Sequence, residues 1–304
     1  MTWHLSHVRS PVGLNDRTME YERIAVRPMA GALGAELSGV DLSEPLNQET
    51  VSEIRQALLD HLVILFHDQD LTPDEYKRFG AYFGTFHIHP FVKGLEGHPE
   101  IMVVAKEPED ELNFSGVWHS DVTFQECPPL GSMMYAKVMP EHGGDTLFAN
   151  QYLAYDTLSD TMKEVLDGLI ALHSARLVYG EDEGNYDAAY QDGHGGTKLI
   201  LDKAAEEVFE HPVVRTHPET GRKALYVNRP FTVGLKDMKR EESEPILKYL
   251  CAHGARPDFS ARVRWREGSV GIWDNRAAQH YALNDYPGKR RVMHRLTLDG
   301  DRPL

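Results

Sequence analysis

Two histidines and one aspartate are the side chains of this sequence best suited to bind a metal ion. His119 and Asp121 stand two residues apart in the run VWHSDVTF (117–124), and His280 follows a much later apolar run. If residues 117–124 form a strand, His119 and Asp121 point to the same face. A loop after the apolar run could return His280 to them. Two neutral imidazoles and one carboxylate suit non-haem Fe(II), and they leave positions open for a bidentate 2-oxo acid and dioxygen.

A second pattern, near the C-terminus, is suited to binding acids. Arg291, Met293 and Arg295 share one face of the strand predicted for RRVMHRLTL (290–298). A guanidinium can bind a carboxylate or sulfonate through two hydrogen bonds, and burying two of them without anions is costly. The pattern therefore predicts a pocket for two acidic ligands, with structural salt bridges to Asp and Glu as the alternative.

A third pattern is the glycine turn HGGDT (142–146), which ends in Thr146. The hydroxyl of Thr146 can share a carboxylate with one of the two arginines. The alternative is that Thr146 only caps the turn, as Thr often does after Gly-Asp.

With these motifs the chain resembles the taurine dioxygenase family of 2-oxoglutarate-dependent oxygenases, which also includes aryloxyalkanoate dioxygenases and alkylsulfatases. The resemblance runs from about Tyr21 to Pro303. It rests on the motifs WHSDVTF, PPLGSMMYA, GGDT, WDNRAAQHY and DYPGKRRVMHR.

The resemblance implies a role for each of these residues. His119, Asp121 and His280 correspond to the ligands of Fe(II), and Arg291 with Thr146 to the residues that bind the distal carboxylate of 2-oxoglutarate. Arg295 corresponds to the arginine that binds the anionic group of the substrate. Four further positions correspond to the substrate pocket: His89, Val122, Phe124 and Phe231. For these four, the alternative is a structural role in the core or in a loop.

The sequence departs from the taurine enzyme at two polar positions of the pocket. Val92 stands where that enzyme has Tyr, and Ser115 stands where it has Asn, unless the loop 107–116 aligns so that Asn113 takes that place. Losing polar partners disfavours an ammonium group, because a buried charge without hydrogen-bond acceptors is costly. A less polar anion than taurine is therefore at least as well suited.

The resemblance implies that 2-oxoglutarate is decarboxylated to succinate while a small anionic substrate is hydroxylated with dioxygen. If the hydroxylated carbon bears a sulfonate, sulfate or aryl-ether oxygen, the C–S or C–O bond then breaks. Two alternatives are a zinc hydrolase that uses the same two histidines and aspartate, and a non-catalytic protein that binds small anions. A zinc hydrolase would need no second chelating acid.

The elements that position these residues are short and mostly strand-like. Strands are predicted at 62–66, 101–104, 117–124, 132–138, 213–216, 224–228, 263–266, 270–273 and 291–298, and helices at about 48–61, from Thr72 to Gly84, within 152–172 and near 244–253. Helices in blocks rather than in alternation with strands favour a double-sheet β-sandwich over a doubly wound sheet. The family resemblance implies a fold that is mainly β with flanking helices, a double-stranded β-helix (jelly roll), which agrees with this pattern. We expect a flexible N-terminal segment (1–20), a single dioxygenase domain (21–304) and a mobile loop from Arg176 to Lys203.

Charge and composition limit the partners. With 47 acidic and 32 basic residues, the formal net charge of −15 disfavours nucleic acid and anionic membranes. Cys127 and Cys251 lie far apart, which indicates reduced thiols. No long apolar segment predicts a membrane span or a signal peptide. We therefore expect a cytoplasmic protein, a homo-oligomer, whose partners are 2-oxoglutarate, dioxygen and a small anionic substrate.

Overall fold

The computed structural model describes residues 21–89, 92, 94–180 and 203–304. The expected flexible segment 1–20 and most of the expected mobile loop, residues 181–202, lie outside the described residues. At the start of that loop, Arg176–Tyr179 forms a short helix with Tyr179 buried. Within the described residues, no helix combines the length and apolar character needed to cross a bilayer.

The described residues form seventeen strands in four sheets. In chain order these are β1 Ala25–Pro28, β2 Ala35–Ser38, β3 Val63–Phe66, β4 Phe86–His87, β5 Gly94–Leu95, β6 His98–Lys106, β7 Gly131–Val138, β8 Thr146–Asn150, β9 Ile170–Ser174, β10 Val208–Pro212, β11 Val214–Thr216, β12 Lys223–Leu225, β13 Thr232–Leu235, β14 Ser260–Val263, β15 Val270–Asp274, β16 Ala278–Ala282 and β17 Arg291–Leu298. The largest sheet has the order β1-β2-β3-β15-β7-β17-β6-β5, with β4 also paired to β17. The smaller sheets are β14-β8-β16, β10-β9-β13 and β11-β12. Only β2 and β3 pair in parallel among the described strands.

The large sheet and the sheet β14-β8-β16 face each other across one core. Phe148 of β8 lies 5.5 Å, between ring centroids, from Trp273 of β15, and Met293 of β17 belongs to the same buried cluster. On its other face the large sheet packs against helices, with Ile54 and Phe79 buried against strand residues such as Ile272. The prediction of a mainly β jelly roll with flanking helices is confirmed.

The helices are α1 Gln48–His61, α2 Pro73–Gly80, α3 Gln151–Asp156, α4 Asp160–Leu166, α5 Arg176–Tyr179 and α6 Arg240–Gly254, with 3₁₀ turns at Lys203–Glu206 and Pro257–Phe259. The helix predicted at 48–61 is confirmed. Thr72 and Glu75 form a capping box at the start of α2, where the sequence predicts that a helix begins. That helix ends at Gly80 rather than Gly84, and a turn follows in which the backbone N–H groups of Tyr82 and Phe83 donate to the backbone oxygens of Phe79 and Gly80.

Two local predictions near the predicted metal ligands are wrong. Residues 117–124 do not form a strand: His119 makes one isolated bridge, and the chain then turns through Asp121 and Val122. His280 does not lie on a loop but within strand β16. The strand predicted at 263–266 lies at Ser260–Val263 instead. At all three places the backbone conformation is determined by pairing between distant segments, which residue spacing alone does not reveal.

Candidate active site

The two histidines and the aspartate meet at one point. His119 and His280 pair as an antiparallel bridge, with N–O distances of 3.1 Å and 2.8 Å between their backbones, and their ring centroids lie 4.1 Å apart. The Oδ1 atom of Asp121 lies 3.5 Å from Nε2 of His119 and 3.7 Å from Nε2 of His280. All three side chains are buried, and their ligand atoms lie within 4.8 Å of one another. A backbone bridge therefore brings together residues that are far apart in sequence.

These donors fit a single metal ion better than they fit one another. The 3.5 Å and 3.7 Å separations exceed a normal hydrogen bond. Donors about 2.1 Å from a shared ion lie roughly 3 to 4 Å apart. The Nδ1 atom of His119 lies 2.7 Å from the carbonyl oxygen of Val117. When Nδ1–H donates a hydrogen bond to that oxygen, Nε2 carries no proton and its lone pair can bind a metal ion. The arrangement suits Fe(II) with open coordination positions.

The charge states also suit a cation. Burial alone would raise the pKa of Asp121, but Arg295 and then the two histidines outweigh it, and the pKa lies well below its usual value. Burial and the neighbouring His119 lower the pKa of His280 well below its usual value. Asp121 is therefore a carboxylate, and His280 is a neutral imidazole with a lone pair.

A turn with an unusual backbone holds Asp121 in place. Val122 has a φ of 52°, which is rare for a β-branched residue. The amide of Asn275 fixes this turn: its Oδ1 accepts from the backbone N–H of Asp121 at 2.6 Å, and its Nδ2 donates to the backbone oxygen of Asp121 at 2.9 Å. The turn replaces the predicted strand and still directs Asp121 toward the histidines.

A cavity leads from His280 to Arg291 and Thr146. Arg291 is buried and donates from Nε to the backbone oxygen of Gly144 at 3.0 Å. No carboxylate in the described part of the chain lies within 4.0 Å of its guanidinium, and burial lowers its pKa. Gly144 has a φ of +72°, and a Cβ there would come 3.0 Å from Arg291 Cδ. The cavity therefore presents an unpaired buried cation to an anionic ligand.

Thr146 lies in the first position of β8 and lines the same cavity. Its Oγ1 accepts a hydrogen bond from Trp265 Nε1 at 2.8 Å. The hydroxyl proton of Thr146 thus remains available for a carboxylate held by Arg291. The roles of Thr146 and Arg291 in binding 2-oxoglutarate stay predictions, and their placement is compatible with those roles.

A second cavity is lined by His119 and Asp121. It contains all five predicted substrate-pocket positions: His89, Val122, Phe124, Phe231 and Arg295. The rings of Phe124 and Phe231 lie 4.8 Å apart at an angle of 61°, and both are buried. Both rings line the cavity and also belong to a local hydrophobic core. The two alternatives of the sequence analysis, a place in the pocket and a structural role, therefore do not exclude each other. Their contact with substrate stays a prediction.

Arg295 lies between the two cavities and lines both. It forms a buried ion pair with Asp121 Oδ2 and donates to Ser132 Oγ at 3.0 Å. The predicted alternative of a structural salt bridge is therefore partly realised. Its Nε has no hydrogen-bond partner among the described atoms, which leaves a donor for a further anion.

His89 lies in the wall of the second cavity, and its ring centroid is 5.8 Å from that of Tyr179. Burial, and then the positive charge of Arg295, lower the pKa of His89 to about 3. The imidazole is neutral at physiological pH, so it can serve as a hydrogen-bond donor or acceptor but not as a cation.

The sequence matches the family described as "Taurine catabolism dioxygenase TauD, TfdA family" over residues 25–297. The chain belongs to the TauD/TfdA family. It is 36% identical over 281 residues to an alkylsulfatase of Acinetobacter baylyi, which covers 92% of this chain and 86% of that protein. It is also 36% identical to an alpha-ketoglutarate-dependent sulfate ester dioxygenase of Pseudomonas putida, with coverage of 92% and 90%.

Solved structures of TauD/TfdA proteins have the same fold. A taurine dioxygenase from Burkholderia xenovorans superposes with a TM-score of 0.77 at 35% identity, covering 93% of this chain and 91% of that chain. The enzyme AAD-2, in complex with Mn(II) and N-oxalylglycine, gives a TM-score of 0.73 at 27% identity, with coverage of 92% and 98%. This TauD/TfdA chain is a 2-oxoglutarate-dependent dioxygenase that uses Fe(II). The zinc hydrolase and the non-catalytic alternatives are set aside.

Sequence reasoning missed several residues that complete the site of this TauD/TfdA enzyme. Asn275 supports Asp121, Ser132 contacts both Asp121 and Arg295, and Trp265 orients Thr146. Asn275 and Ser132 stand inside motifs that the family resemblance had already marked, WDNRAAQHY and PPLGSMMYA. A search for small polar residues within those motifs could have found both, whereas no sequence pattern pointed to Trp265.

Proposed function

We propose that this dioxygenase hydroxylates the carbon next to the ester oxygen of an alkyl sulfate, and so releases sulfate and an aldehyde. The observation that carries the proposal is a cavity beside the three metal-binding residues, with mostly apolar walls and one arginine, Arg295. Such a cavity fits an anionic head and an apolar chain. The two relatives at 36% identity, named alkylsulfatase and sulfate ester dioxygenase, support the same substrate class.

The described lining disfavours an amine such as that of taurine. Asp121 is its only carboxylate, and it contains no side-chain amide. Ser115 lines the cavity, whereas Asn113 donates its amide to the backbone oxygen of Ala282 at 3.0 Å. Val92 is buried in the core and does not line the cavity. Because Asp121 is already paired with Arg295 and the described lining has no side-chain amide, a buried ammonium would find few acceptors there.

We assign a role to each residue in this reaction. His119, Asp121 and His280 would hold Fe(II), while Arg291 and Thr146 would bind the distal carboxylate of 2-oxoglutarate. Arg295, with the neutral His89 beside it, would bind the sulfate group. Val122, Phe124 and Phe231 would hold the alkyl chain and exclude water, so that one carbon faces the metal.

Bound Fe(II) and 2-oxoglutarate supply the activation of dioxygen, in which one oxygen atom goes to succinate and the other to the substrate carbon. The hydroxylated carbon then carries both a hydroxyl and a sulfate ester. Its C–O bond to sulfate breaks, the sulfate leaves with the bonding electron pair, and the hydroxyl loses its proton to give the aldehyde. Each turnover therefore yields one succinate, one carbon dioxide, one sulfate and one aldehyde.

The test is a substrate panel given to enzyme loaded anaerobically with Fe(II) and 2-oxoglutarate and then exposed to oxygen. The panel contains linear alkyl sulfates, alkyl sulfonates, aryloxyalkanoates and taurine. We expect alkyl sulfates to release sulfate and succinate one to one, and taurine to give little product. Coupled turnover of another class, with none for alkyl sulfates, would contradict the proposal.

Three further properties remain part of this proposal: a cytoplasmic location, a homo-oligomeric state and the absence of nucleic-acid binding. The excess of acidic residues supports the last of these. Light scattering on the purified enzyme would measure the oligomeric state, and a gel-shift assay with random duplex DNA would detect nucleic-acid binding.

A further inference from the structure

The two carboxylate oxygens of Asp121 face different partners. Oδ1 faces the two histidines, at 3.5 Å and 3.7 Å. Oδ2 accepts a hydrogen bond from Ser132 Oγ at 3.0 Å and pairs with Nη2 of Arg295. One oxygen is thus directed to the proposed ion, and the other is occupied by protein.

Ser132 closes a triangle with Asp121 and Arg295. Its hydroxyl donates to Asp121 Oδ2 and accepts from Nη2 of Arg295, each at 3.0 Å. A hydroxyl can do both at once, which neither an amide N–H nor a carboxylate can do. Ser132 is fully buried in β7, paired with Trp273 of β15 and Thr297 of β17. Its position is therefore fixed by the centre of the large sheet.

We propose that Ser132 is a positioning residue that makes Asp121 a one-oxygen ligand of the metal and fixes Arg295 beside it. This inference rests on the proposed function, because it takes the ion to bind at His119, Asp121 and His280. With Oδ2 occupied by Ser132 and Arg295, only Oδ1 is available to the ion. Three coordination positions then remain for 2-oxoglutarate and dioxygen, whereas a two-oxygen aspartate would fill one of them.

The shared carboxylate also couples the metal to the substrate anion. An ion held by Oδ1 would draw charge from Asp121 and so weaken its ion pair with Arg295, and the guanidinium would then be available to a sulfate group. A sulfate group on Arg295 in turn leaves Asp121 a stronger ligand. Because such coupling is reciprocal, hexyl sulfate should tighten Fe(II) binding as much as Fe(II) tightens hexyl sulfate binding.

The variant Ser132→Ala tests the positioning role, and Ser269→Ala is its matched control. Ser269 is equally buried, and its hydroxyl is also hydrogen-bonded, to the backbone N–H of Arg266, but it does not line either cavity. The measurements are the dissociation constant of Fe(II), by anaerobic calorimetry with 2-oxoglutarate present, and the free energy of unfolding. If Ser132→Ala does not fold, Ser132→Cys replaces it, since a thiol of similar size is a weak donor.

We expect Ser132→Ala to weaken Fe(II) binding about 10- to 100-fold, as is usual when a partner of a metal ligand is lost. Ser269→Ala should leave it unchanged, even if both variants lose similar stability. Wild-type affinity in Ser132→Ala would overturn the positioning role alone. A wild-type enzyme that binds no Fe(II) would overturn the proposed metal centre and this inference with it.

Discussion

The side-chain amide of Asn275 is hydrogen-bonded to both backbone groups of Asp121, its N–H and its carbonyl oxygen. It accepts from the N–H of Asp121 at 2.6 Å and donates to its carbonyl oxygen at 2.9 Å, and it also donates to the backbone oxygen of Pro129 at 3.1 Å. Asn275 follows β15, and His280 lies in the next strand, β16. The turn between β15 and β16, which leads into the strand of the predicted ligand His280, therefore also fixes the predicted ligand Asp121.

Replacing Asn275 should damage the metal site through the backbone. We expect Asn275→Ala to weaken Fe(II) binding about 10- to 100-fold, because the turn that directs Asp121 loses its support. The unfolding free energy should also fall by about 1–3 kcal/mol, since buried backbone groups lose their partners. Asn150→Ala is the control: it removes a buried amide that caps α3, far from the ligands in sequence. It should lower stability and leave Fe(II) affinity intact, and equal Fe(II) affinities in both variants would refute the prediction.

Arg291 and Arg290 are neighbours that should behave very differently. Arg291 is buried at the end of a cavity, whereas Arg290 is exposed and pairs with Glu107. Arg291→Gln removes a buried charge partner worth about 2–4 kcal/mol, which would raise the KM for 2-oxoglutarate roughly 30- to 700-fold. Arg290→Gln should change it less than about threefold, because exposed ion pairs contribute little. Steady-state kinetics with varied 2-oxoglutarate measures both, and a similar KM in the two variants would count against the assignment.

Phe231 should limit the shape of the alkyl chain. Its ring packs against Phe124 and lies 6.3 Å, between ring centroids, from His119. In Phe231→Ala, the ratio of kcat/KM for branched over linear alkyl sulfates should rise about tenfold or more, because space opens beside the metal site. Phe259→Ala removes an equally buried ring that does not line the cavity. That ratio should not move in Phe259→Ala, and an unchanged ratio in Phe231→Ala would show that Phe231 does not select the chain.

His211 should make the fold sensitive to mild acid. Burial lowers the pKa of His211 to about 4, while its Nε2 donates to the backbone oxygens of Thr123 and Gln125. Between about pH 6.5 and pH 4 the unfolded chain binds a proton that the folded chain does not. His211 therefore contributes stability that is complete above about pH 6.5 and is lost as the pH falls toward 4.

The size of this effect can be measured by urea unfolding from pH 5 to pH 7.5. The slope contributed by His211 is at most about 1.4 kcal/mol per pH unit. His211→Gln keeps an N–H donor but cannot titrate, so the slope should decrease. His142→Gln, at an exposed histidine, should keep the wild-type slope. An unaltered slope in His211→Gln would mean that other groups cause the acid sensitivity.

The sequence predicted regular elements well where local signals were strong. The helix α1 follows from apolar residues at helical spacing, and the strands β3, β15 and β17 follow from short apolar or alternating runs. The two-residue period of β17 correctly placed Arg291 and Arg295 on one face, since both line the same cavity. These features depend on neighbours in sequence, and a period can reveal them.

The failures lie where distant segments determine the backbone. The turn at Asp121 depends on Asn275, which is 154 residues away. It also depends on a positive φ at Val122, a conformation that β-branched residues rarely adopt. The ion pair of Arg295 with Asp121 likewise joins residues whose distance no local pattern encodes. The sequence nevertheless predicted that His119, Asp121 and His280 meet, and the structure brings their ligand atoms within 4.8 Å of one another. Their role as ligands of Fe(II) stays a prediction.

The most direct test of the account is an anaerobic titration of the enzyme with Fe(II) in the presence of 2-oxoglutarate, with bound iron counted per chain. The account predicts one ion per chain in the wild type, none at comparable affinity in His280→Ala, and one in His294→Ala, a half-buried histidine next to Arg295 that lines neither cavity. Binding of one ion by His280→Ala with wild-type affinity would contradict it.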